Sequence, residues 1–244
     1  MTADSPNDQH VSKAPYDHAR LEGRRNFLRF LLKYLGFPLL AKIDRVEGVE
    51  KFPDEGPAIL MINHIAFIDP IVVLHVAPRN IVPLAKVEVY SIPGWGIFPR
   101  MWDVILVQRE DVDRKTIKQV FQVLKAGEIV LVAPEGTRGP ELKRAKEGVA
   151  YLASRADVPV IPVAIEGTKG FPAIRFTSPW HGQGAHVRFG HPFRYLPKYR
   201  QAGREELRKM TDEAMYVLAE MLPVEQRGYY SNLANATQET FEWL

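Results

Sequence analysis

The sequence predicts a single α/β domain whose largely parallel sheet is flanked by helices and preceded by a basic amphipathic helix. Short apolar runs alternate along the chain with segments in which apolar residues recur at helical spacing. Such alternation is typical of parallel strands joined by helices. With 244 residues, 46% of them hydrophobic, the chain can bury one sizeable core.

Composition excludes several kinds of site. The chain contains no cysteine, so disulfides, thiolate metal ligands and a cysteine nucleophile are excluded. The formal net charge is +3 and the pI is about 9.0, which favours anionic partners such as acidic lipids or phosphorylated substrates. The 32 basic and 29 acidic residues are nearly balanced and no nucleic-acid motif is present, so we expect no nucleic-acid partner.

The sequence divides into four expected segments. Residues 1 to 14 are polar and lack an apolar stretch, so we predict a disordered start without a signal peptide. Residues 15 to 43 form a helical, membrane-associating segment, and residues 44 to 222 form the α/β domain. Residues 223 to 244 form a C-terminal tail, whose aromatic residues would either touch a membrane or cap the core.

The helix predicted from Arg24 to Leu35 is basic and amphipathic. A helical projection places three cations on one narrow face, with apolar residues around the rest. Gly36 and Pro38 are expected to end this helix. The chain has no window of about 18 uncharged apolar residues, so we expect the helix to lie in a membrane interface rather than to span it. Packing on its own domain is the alternative. The residues expected to contact the membrane are Arg25, Arg29, Lys33, Phe27 and Leu31.

The apolar run from Ala58 to Ile62 predicts a buried strand that ends at Asn63 and His64. Asp69 followed by Pro70 predicts a helix that begins there, with the aspartate as N-cap. The histidine and the carboxylate therefore flank one strand-to-helix turn. A carboxylate that binds one imidazole nitrogen leaves the other nitrogen as a base, which is half of a catalytic triad. A capping aspartate beside a histidine bound to backbone is the alternative.

Two further strands are predicted downstream, from Asn80 to Ala85 and from Val104 to Val107. Lys86 follows the first strand and Arg109 follows the second. The segment between them, which contains Trp95, is dense in glycine, proline and aromatic residues. It is either a structural loop or the wall of an apolar slot.

The second half of the domain repeats the alternation of strand and helix. A helix after Asp111 or Asp113 leads into the strand from Ile129 to Ala133, and a second helix surrounds Leu152. Strands at 158 to 165 and 187 to 190 follow, and apolar spacing predicts a helix from 205 to 222 that covers one face of the sheet.

Polar residues follow four of these strands directly. Because the carboxyl ends of parallel strands share one edge, His64, Lys86, Arg109 and the segment 135 to 138 should lie along it. Within that segment Gly136 permits close backbone approach, Thr137 can donate a hydrogen bond, and Arg138 can bind a phosphate with two donors. A simple salt bridge between Arg138 and Glu135 is the alternative. A base beside cations predicts a substrate with a phosphate and a hydroxyl group.

Four ordered blocks of the sequence resemble those of the PlsC-type glycerophospholipid acyltransferases. They are Asn63-His64-x4-Asp69; Lys86-x-Glu88 with Pro93-Gly-Trp95 and Arg109; Pro134-Glu-Gly-Thr-Arg138 with Lys146-x-Gly148; and Val158-Pro-Val-Ile-Pro-Val163. The resemblance covers residues 45 to 195. It implies an enzyme that moves a fatty acyl group from a thioester to the free hydroxyl of a lysophospholipid, with 1-acyl-sn-glycerol-3-phosphate as the expected acceptor.

The resemblance also implies roles for individual residues. His64 would be the general base and Asp69 the group that orients it. The implied phosphate site consists of Lys86, Arg109, Glu135, Gly136, Thr137 and Arg138. The residues expected to support the acyl and acceptor sites are Asn63, Trp95, Lys146 and Pro162.

The expected mechanism is direct transfer from acyl carrier protein or coenzyme A, without a cofactor or a metal. The chain has no cysteine and no G-x-S-x-G elbow, so an acyl-enzyme lacks its usual nucleophiles. The developing oxyanion needs a donor; a backbone N–H near the turn after Asn63 is one candidate, but the sequence does not identify the donor. We expect a peripheral protein on the cytoplasmic face of the cell membrane, bound to anionic lipids.

Four alternatives to this function remain at the level of sequence. The acceptor could be another lysolipid, or the chain could bind lipid at a membrane without catalysis. A serine hydrolase would need a nucleophile elbow, which the sequence lacks. A zinc enzyme could use His181, His186 and His191, although their spacing of five residues fits neither a helical nor a strand pattern of ligands.

Overall fold

The computed structural model describes residues 16–91, 96–107 and 114–244. The helices are α1 (His18–Leu31), α2 (Phe37–Leu40), α3 (Asp69–Val76), α4 (Ile97–Trp102), α5 (Arg114–Lys125), α6 (Gly148–Ala156) and α7 (Arg204–Glu220). The strands are β1 (Ile43–Glu47), β2 (Ala58–Ile62), β3 (Ile81–Lys86), β4 (Ile105–Val107), β5 (Ile129–Val132), β6 (Val160–Glu166), β7 (Ala185–Phe189), β8 (Phe193–Tyr195) and β9 (Phe241–Trp243).

The strands of the described residues form one sheet in the order β1-β7-β6-β2-β5-β3-β4, with β8 beside β6 and β9 beside β8. Strands β2 to β6 run parallel to one another, whereas β7 and β8 are antiparallel to β6. The prediction of a single α/β domain with a largely parallel sheet is therefore confirmed. The carboxyl ends of β2, β3, β4, β5 and β6 lie at one edge of the sheet. The turn after β2 and the loop after β6 begin at this edge.

Helices cover both faces of this sheet. In β2, Ile59 and Met61 pack in one layer with α5, α6 and α7, whereas Leu60 and Ile62 pack in the other with α1, α3 and α4. A strand that is buried on both faces needs apolar residues at every position. The continuous apolar run from Ala58 to Ile62 follows from this two-sided burial.

The N-terminal helix differs from the prediction at both ends. It begins at His18, where the Asp17 side chain accepts a hydrogen bond from the Arg20 N–H at 3.3 Å. Gly36 and Pro38 do not end the helical path, because a π-helical turn (Leu32–Gly36) leads into α2. Proline is tolerated in the first turn of α2, where its missing N–H would have no partner within the helix. None of the helices in the described residues combines the length and the apolarity needed to cross a bilayer.

The C-terminal segment is not a separate tail, which corrects the boundary predicted at residue 223. Tyr230 is completely buried, and β9 extends the sheet by pairing with β8. The buried Glu213 carboxylate of α7 accepts hydrogen bonds from the hydroxyls of Thr237 and Thr240 and from the Thr240 N–H. Of the two roles left open for these aromatic residues, Tyr230 and Phe241 have the one in the core. A three-residue strand is too short for sequence periodicity to predict.

Candidate active site

The turn between β2 and α3 brings His64 and Asp69 into contact. His64 Nδ1 lies 3.0 Å from Asp69 Oδ2. The same carboxylate oxygen accepts hydrogen bonds from the N–H groups of Ile65 at 2.6 Å and Ala66 at 2.7 Å. The Asp69 side chain is fully buried, and the His64 side chain is 19% exposed. The buried carboxylate therefore fixes both the backbone of the turn and the orientation of the imidazole ring.

Asp69 does not serve as the N-cap of α3, which corrects the prediction by one residue. Ile68 is the N-cap, and Asp69 is the first helical residue, followed by Pro70 in the first turn. The carboxylate bonds backward to the turn instead of forward to its own helix. This arrangement is what brings it to the imidazole.

The hydrogen bond to Asp69 selects the tautomer of His64. When Nδ1 carries the proton and donates it to the carboxylate, Nε2 keeps its lone pair. Among the described residues, no hydrogen-bond partner of His64 Nε2 is found. Nε2 is therefore the ring nitrogen left to accept a proton, as a general base requires.

The backbone N–H groups expected to bind an oxyanion are already occupied. The N–H of His64 donates to Glu135 Oε1 at 3.3 Å, and those of Ile65 and Ala66 donate to Asp69. A donor that is satisfied within the protein cannot also bind a developing oxyanion without breaking its bond. These three N–H groups are therefore bound within the protein, and the oxyanion donor, which the sequence does not identify, is not a free N–H among them.

Asn63 joins the end of β2 to the end of β6. Its side-chain amide donates to the Ile165 carbonyl at 2.8 Å, and its side-chain oxygen accepts from the Ile165 N–H at 2.8 Å. The side chain is buried and imitates one more rung of the parallel ladder. It supports the site by fixing the point at which the strand ends and the His64 turn begins.

Glu135 lies beside the turn, but its contacts differ from those of a phosphate ligand. The side chain is buried, and its two oxygens accept from the N–H groups of His64 and of Lys143, the latter at 2.8 Å. Burial raises the pKa of the Glu135 carboxyl, and these two N–H groups offset part of that rise. Both carboxylate oxygens are bound to backbone N–H groups, and the role of Glu135 in the phosphate site stays a prediction. Glu135 ties the 135–143 loop to the turn.

A second bond holds the same two segments together. The N–H of Gly139 donates to the His64 carbonyl at 2.9 Å. The His64 backbone is thus bonded to the loop after β5 through both its N–H and its carbonyl. A cleft next to His64 is lined by residues of this loop and by Gln226 of the C-terminal segment. No sequence pattern pointed to Gln226, because only folding brings the C-terminal segment here.

Three of the predicted phosphate-binding residues follow Glu135 directly. Gly136 has a left-handed backbone with φ of +64°, which glycine adopts without steric cost. Thr137 and Arg138 are exposed. No ion pair between Arg138 and Glu135 is found in the described part of the chain, where both Glu135 oxygens bind backbone instead. The simple salt bridge considered as the alternative is therefore not formed there.

The predicted support residue Lys146 lies next to Gly136. Its aliphatic carbons run within about 4 Å of the position a Gly136 side chain would take, and its charged end is exposed. Lys143 and Arg144 are exposed as well, although sequence reasoning did not assign them to the site. Their signal was present as a cationic run in the sequence after Arg138.

The remaining predicted residues divide into three groups. Lys86 is exposed at the carboxyl end of β3, with β5 between β3 and β2, so about 10 Å separates its strand from that of His64. Arg109 and Trp95 lie outside the described residues. Pro162 lies in the body of β6, and its support of the acyl and acceptor sites stays a prediction.

Pro162 packs within the sheet layers. Strand alternation turns it away from α3, toward the layer of Ala164 and α7. There its ring fills the space that a side chain at Gly190 would need. The Pro162 carbonyl accepts the Gly190 N–H at 2.8 Å, so the side of β6 on which an N–H is missing faces the break between β7 and β8, where no ladder bond is lost.

The predicted membrane face of α1 needs a correction at Arg25. Its side chain is completely buried, and it donates to the Trp102 carbonyl at 3.0 Å and to the Tyr16 hydroxyl at 2.6 Å. Arg29 is half-buried and donates to the carbonyls of Ala77 and Pro78 at the end of α3. These two cations bind the domain, because the face that carries them packs against α3 and α4.

The other three residues predicted to contact the membrane differ from Arg25 and Arg29 in their exposure. Lys33 and Phe27 are exposed, and Leu31 is half-buried. The alternative for α1 was that it packs on its own domain, and this holds for the face that carries Arg25 and Arg29. Another face of the helix is apolar and exposed.

The histidines considered as zinc ligands do not come together. His186 lies between Glu47 and Glu166, with His186 Nε2 3.6 Å from Glu47 and Nδ1 3.9 Å from Glu166. Among residues 16–91, 96–107 and 114–244, no three histidine, cysteine or acidic side chains lie together in a way that could hold a metal ion.

Comparison with known proteins places this geometry in context. The family model described as Acyltransferase matches residues 44–166. A 1-acyl-sn-glycerol-3-phosphate acyltransferase of Borreliella burgdorferi is 30% identical over 130 residues, which cover 52% of this chain and 52% of the relative. The protein of the same description from Bacillus subtilis is 29% identical over 124 residues, covering 50% of this chain and 62% of the relative. The matches thus span about half to three fifths of these relatives.

A solved structure extends the match in fold. The PlsC 1-acyl-sn-glycerophosphate acyltransferase of Thermotoga maritima superposes with a TM-score of 0.57 at 23% identity, covering 91% of this chain and 85% of that chain. At this level of identity the likeness concerns the fold.

Proposed function

This chain belongs to the acyltransferase family, because the family model matches half of its length, and from that premise we propose that it acylates a lysophospholipid. The proposed acceptor is 1-acyl-sn-glycerol-3-phosphate, whose free hydroxyl receives a fatty acyl group from a thioester. The product is phosphatidic acid. The relatives from Borreliella burgdorferi and Bacillus subtilis carry this acceptor in their descriptions, which supports the choice.

The observation that carries the proposal is the contact between His64 and Asp69. With Nδ1 held 3.0 Å from the buried carboxylate, Nε2 is the nitrogen that meets the acceptor. A positioned neutral imidazole can take the proton of a hydroxyl as it attacks. The carboxylate stabilises the imidazolium that forms.

The transfer proceeds without an acyl-enzyme. His64 Nε2 removes the proton of the acceptor hydroxyl while the oxygen attacks the thioester carbonyl carbon. The tetrahedral intermediate collapses, the carbon–sulfur bond breaks, and the thiolate leaves. The imidazolium returns its proton to the thiolate, so that one ester and one thiol are formed and the base is regenerated. The absence of cysteine agrees with direct attack.

The acceptor phosphate binds to the cations that follow Glu135. Arg138 supplies a planar fork of donors, and Lys146 adds a second positive charge beside Gly136. Lys86 extends the cationic edge on the far side of β5. Glu135 holds the loop that carries Arg138 against the backbone of His64, so that phosphate site and base keep a fixed separation.

The protein acts at a membrane surface as a peripheral protein on its cytoplasmic face. The lysolipid and its product both reside in a bilayer, and acyl carrier protein or coenzyme A delivers the thioester from solution. Exposed cations such as Lys33 are attracted to anionic lipids.

The test is turnover by the purified full-length chain. The protein receives 1-acyl-sn-glycerol-3-phosphate in vesicles with acyl carrier protein or coenzyme A thioesters in parallel, and phosphatidic acid is measured by mass spectrometry alongside released thiol. We expect one thiol for each phosphatidic acid. A matched acceptor whose free hydroxyl is methylated should give neither product. Thiol release that is equal with both acceptors indicates thioester hydrolysis and contradicts the proposal, and lipid binding without turnover favours a non-catalytic lipid-binding protein.

A further inference from the structure

We propose that residues 169–177, here called the insertion loop, enter an anionic lipid bilayer together with the exposed face of α1 and α2. The loop lies between β6 and β7 and is remote in sequence from the N-terminal helices. Its contact with the membrane is a second one, additional to the contact that the N-terminal helix makes. Four observations carry the proposal.

The first observation is exposure. Ile174 is 71% exposed and Phe176 is 83% exposed, and these values are the highest among the large hydrophobic residues of the described chain. Phe176 also has a left-handed backbone with φ of +75°, a conformation that is strained for a bulky residue. An aromatic ring that is exposed to water on a strained backbone is not stabilised by burial within the protein. A nonaqueous partner would bury this ring.

The second observation is the connection to the N-terminal helices. The N–H of Ala173 donates to the Leu40 carbonyl at 2.8 Å, and the N–H of Arg175 donates to the Leu39 carbonyl at 2.9 Å. The backbone of the insertion loop is thereby fixed to the end of α2. Further exposed apolar residues continue from there along the helices at helical spacing: Leu39, Leu35, Tyr34, Phe30 and Phe27. The loop and the helices that carry these exposed apolar side chains are thus joined directly through their backbones.

The third observation is charge. Residues 24–43 and 167–184 contain no aspartate or glutamate. The exposed cations Lys33, Lys169 and Arg175 flank the apolar residues, and the Arg175 guanidinium lies 5.4 Å from the Phe176 ring centre. Apolar side chains bordered by cations, without acidic residues, match the boundary between acyl chains and anionic headgroups. This charge pattern selects an anionic bilayer as the occupant.

The fourth observation is position. The insertion loop leaves the sheet at the carboxyl end of β6, which pairs in parallel with β2. Asn63, the residue before His64, is bonded to Ile165 at that same end. Insertion of the loop therefore brings the sheet edge of His64 toward the bilayer surface. This last step rests on the proposed function, because it matters only if the acceptor lies in the bilayer.

The first experiment measures sedimentation with phosphatidylglycerol-containing vesicles, in the absence of substrates. The variant Ile174→Ser with Phe176→Ser should bind at least about tenfold more weakly, because two side chains lose their burial in acyl chains. The matched control is Val224→Ser with Leu244→Ser, which removes two residues that are 68% and 58% exposed near α7 and β9. Its binding should be unchanged. Equal binding by all three proteins, or an equal loss in both variants, overturns the proposal.

The second experiment uses the absence of cysteine. Phe176→Cys and, as control, Val224→Cys each accept one environment-sensitive fluorophore at a single site. On addition of the vesicles, the label at 176 should shift its emission to the blue and be quenched by a lipid-borne quencher, and the label at 224 should do neither. No response at 176, or a response that follows self-association without vesicles, overturns the proposal.

Neither readout depends on catalysis. A protein that fails to transfer acyl groups but inserts residue 176 contradicts the proposed function and supports this inference. A protein that makes phosphatidic acid, but gives the overturning result in both loop experiments, supports the proposed function and contradicts this inference. The two proposals can therefore fail separately.

Discussion

The turn that carries His64 and the segment that carries Arg138 follow neighbouring strands, yet they are built in opposite ways. In the turn, three consecutive N–H groups donate to buried carboxylates, and the imidazole is held by Asp69. In the cationic segment from Arg138 to Lys146, most charged side chains point into solvent. A base must be oriented before the substrate arrives, whereas flexible cations can close on a phosphate when it binds. The difference separates preformed chemistry from recognition completed by the ligand.

The largest effect that tests this comparison is expected at His64. In His64→Ala, kcat should fall by about two to four orders of magnitude, the usual contribution of a general base, while KM for the lysolipid changes little. Steady-state kinetics on vesicles and a thermal melt provide the measurement. His191→Ala, which removes an exposed histidine between β7 and β8, serves as the matched control. Near-normal kcat in folded His64→Ala protein would end the assignment of this residue as the base.

Asp69→Asn should have an effect of similar kind on kcat. The amide keeps an oxygen for the N–H groups of Ile65 and Ala66, but it no longer stabilises the imidazolium and can favour the wrong tautomer. We expect a loss of about two orders of magnitude or more with a small change in melting temperature. Kinetics and melting of the same preparation are compared. A large loss of stability with full activity per folded molecule would make Asp69 a residue of the fold alone.

Glu135 joins the two regions, and its replacement tests how far they depend on each other. Glu135→Ala leaves two buried N–H groups without their acceptor, which costs about 1–3 kcal/mol for each group. Thermal or urea unfolding should show this loss. Glu135→Gln keeps one acceptor oxygen and should lose less. If Gln at this position instead tightened KM for the phosphate acceptor without changing stability, the carboxylate would belong to the phosphate site after all.

The smallest effect is expected from Arg138 and concerns selectivity. Arg138→Ala should lower kcat/KM for 1-acyl-sn-glycerol-3-phosphate by about ten- to a hundredfold, since a charge-assisted contact contributes about 1.5–3 kcal/mol. Monoacylglycerol, which lacks the phosphate, should be used as before. Lys125→Ala, which removes an exposed cation at the opposite edge of the sheet, is the control. An equal loss with both acceptors would show that Arg138 acts through the loop.

The sequence was most informative where local chemistry and burial agree. The apolar run of β2 and the spacing of His64 and Asp69 are local, so strand, turn and pair could all be predicted before the fold was known. The parallel order of the sheet followed from the alternation of strands and helices. The position of His64, Lys86 and Glu135 at one edge could then be predicted from a single rule, namely that the carboxyl ends of parallel strands lie at the same edge of the sheet.

The predictions that failed concern contacts between distant segments. A helical projection groups Arg25, Arg29 and Lys33, but it cannot tell which part of that face meets Trp102 and the end of α3. The sequence predicted the position of Glu135 at the sheet edge but not its partners, because its bonds to the N–H groups of His64 and Lys143 have no signature in sequence. The pairing of β9 with β8 likewise depends on contacts across the fold. Each of these errors involves a polar or short element whose partner is chosen by tertiary structure.

The packing of α1 and α2 against the domain has a practical consequence for the design of shortened forms of this protein. The family match begins at residue 44. Truncation at that residue would remove the exposed apolar side chains of α1 and α2 and so suggests itself as a way to reduce binding to membranes. Such a truncation would remove Leu28 and Phe37 from the core and expose the surface of α3 and α4 that they cover. The shortened product should aggregate more readily than the full chain. The unit that has to be expressed is therefore longer at its N-terminus than the unit defined by similarity.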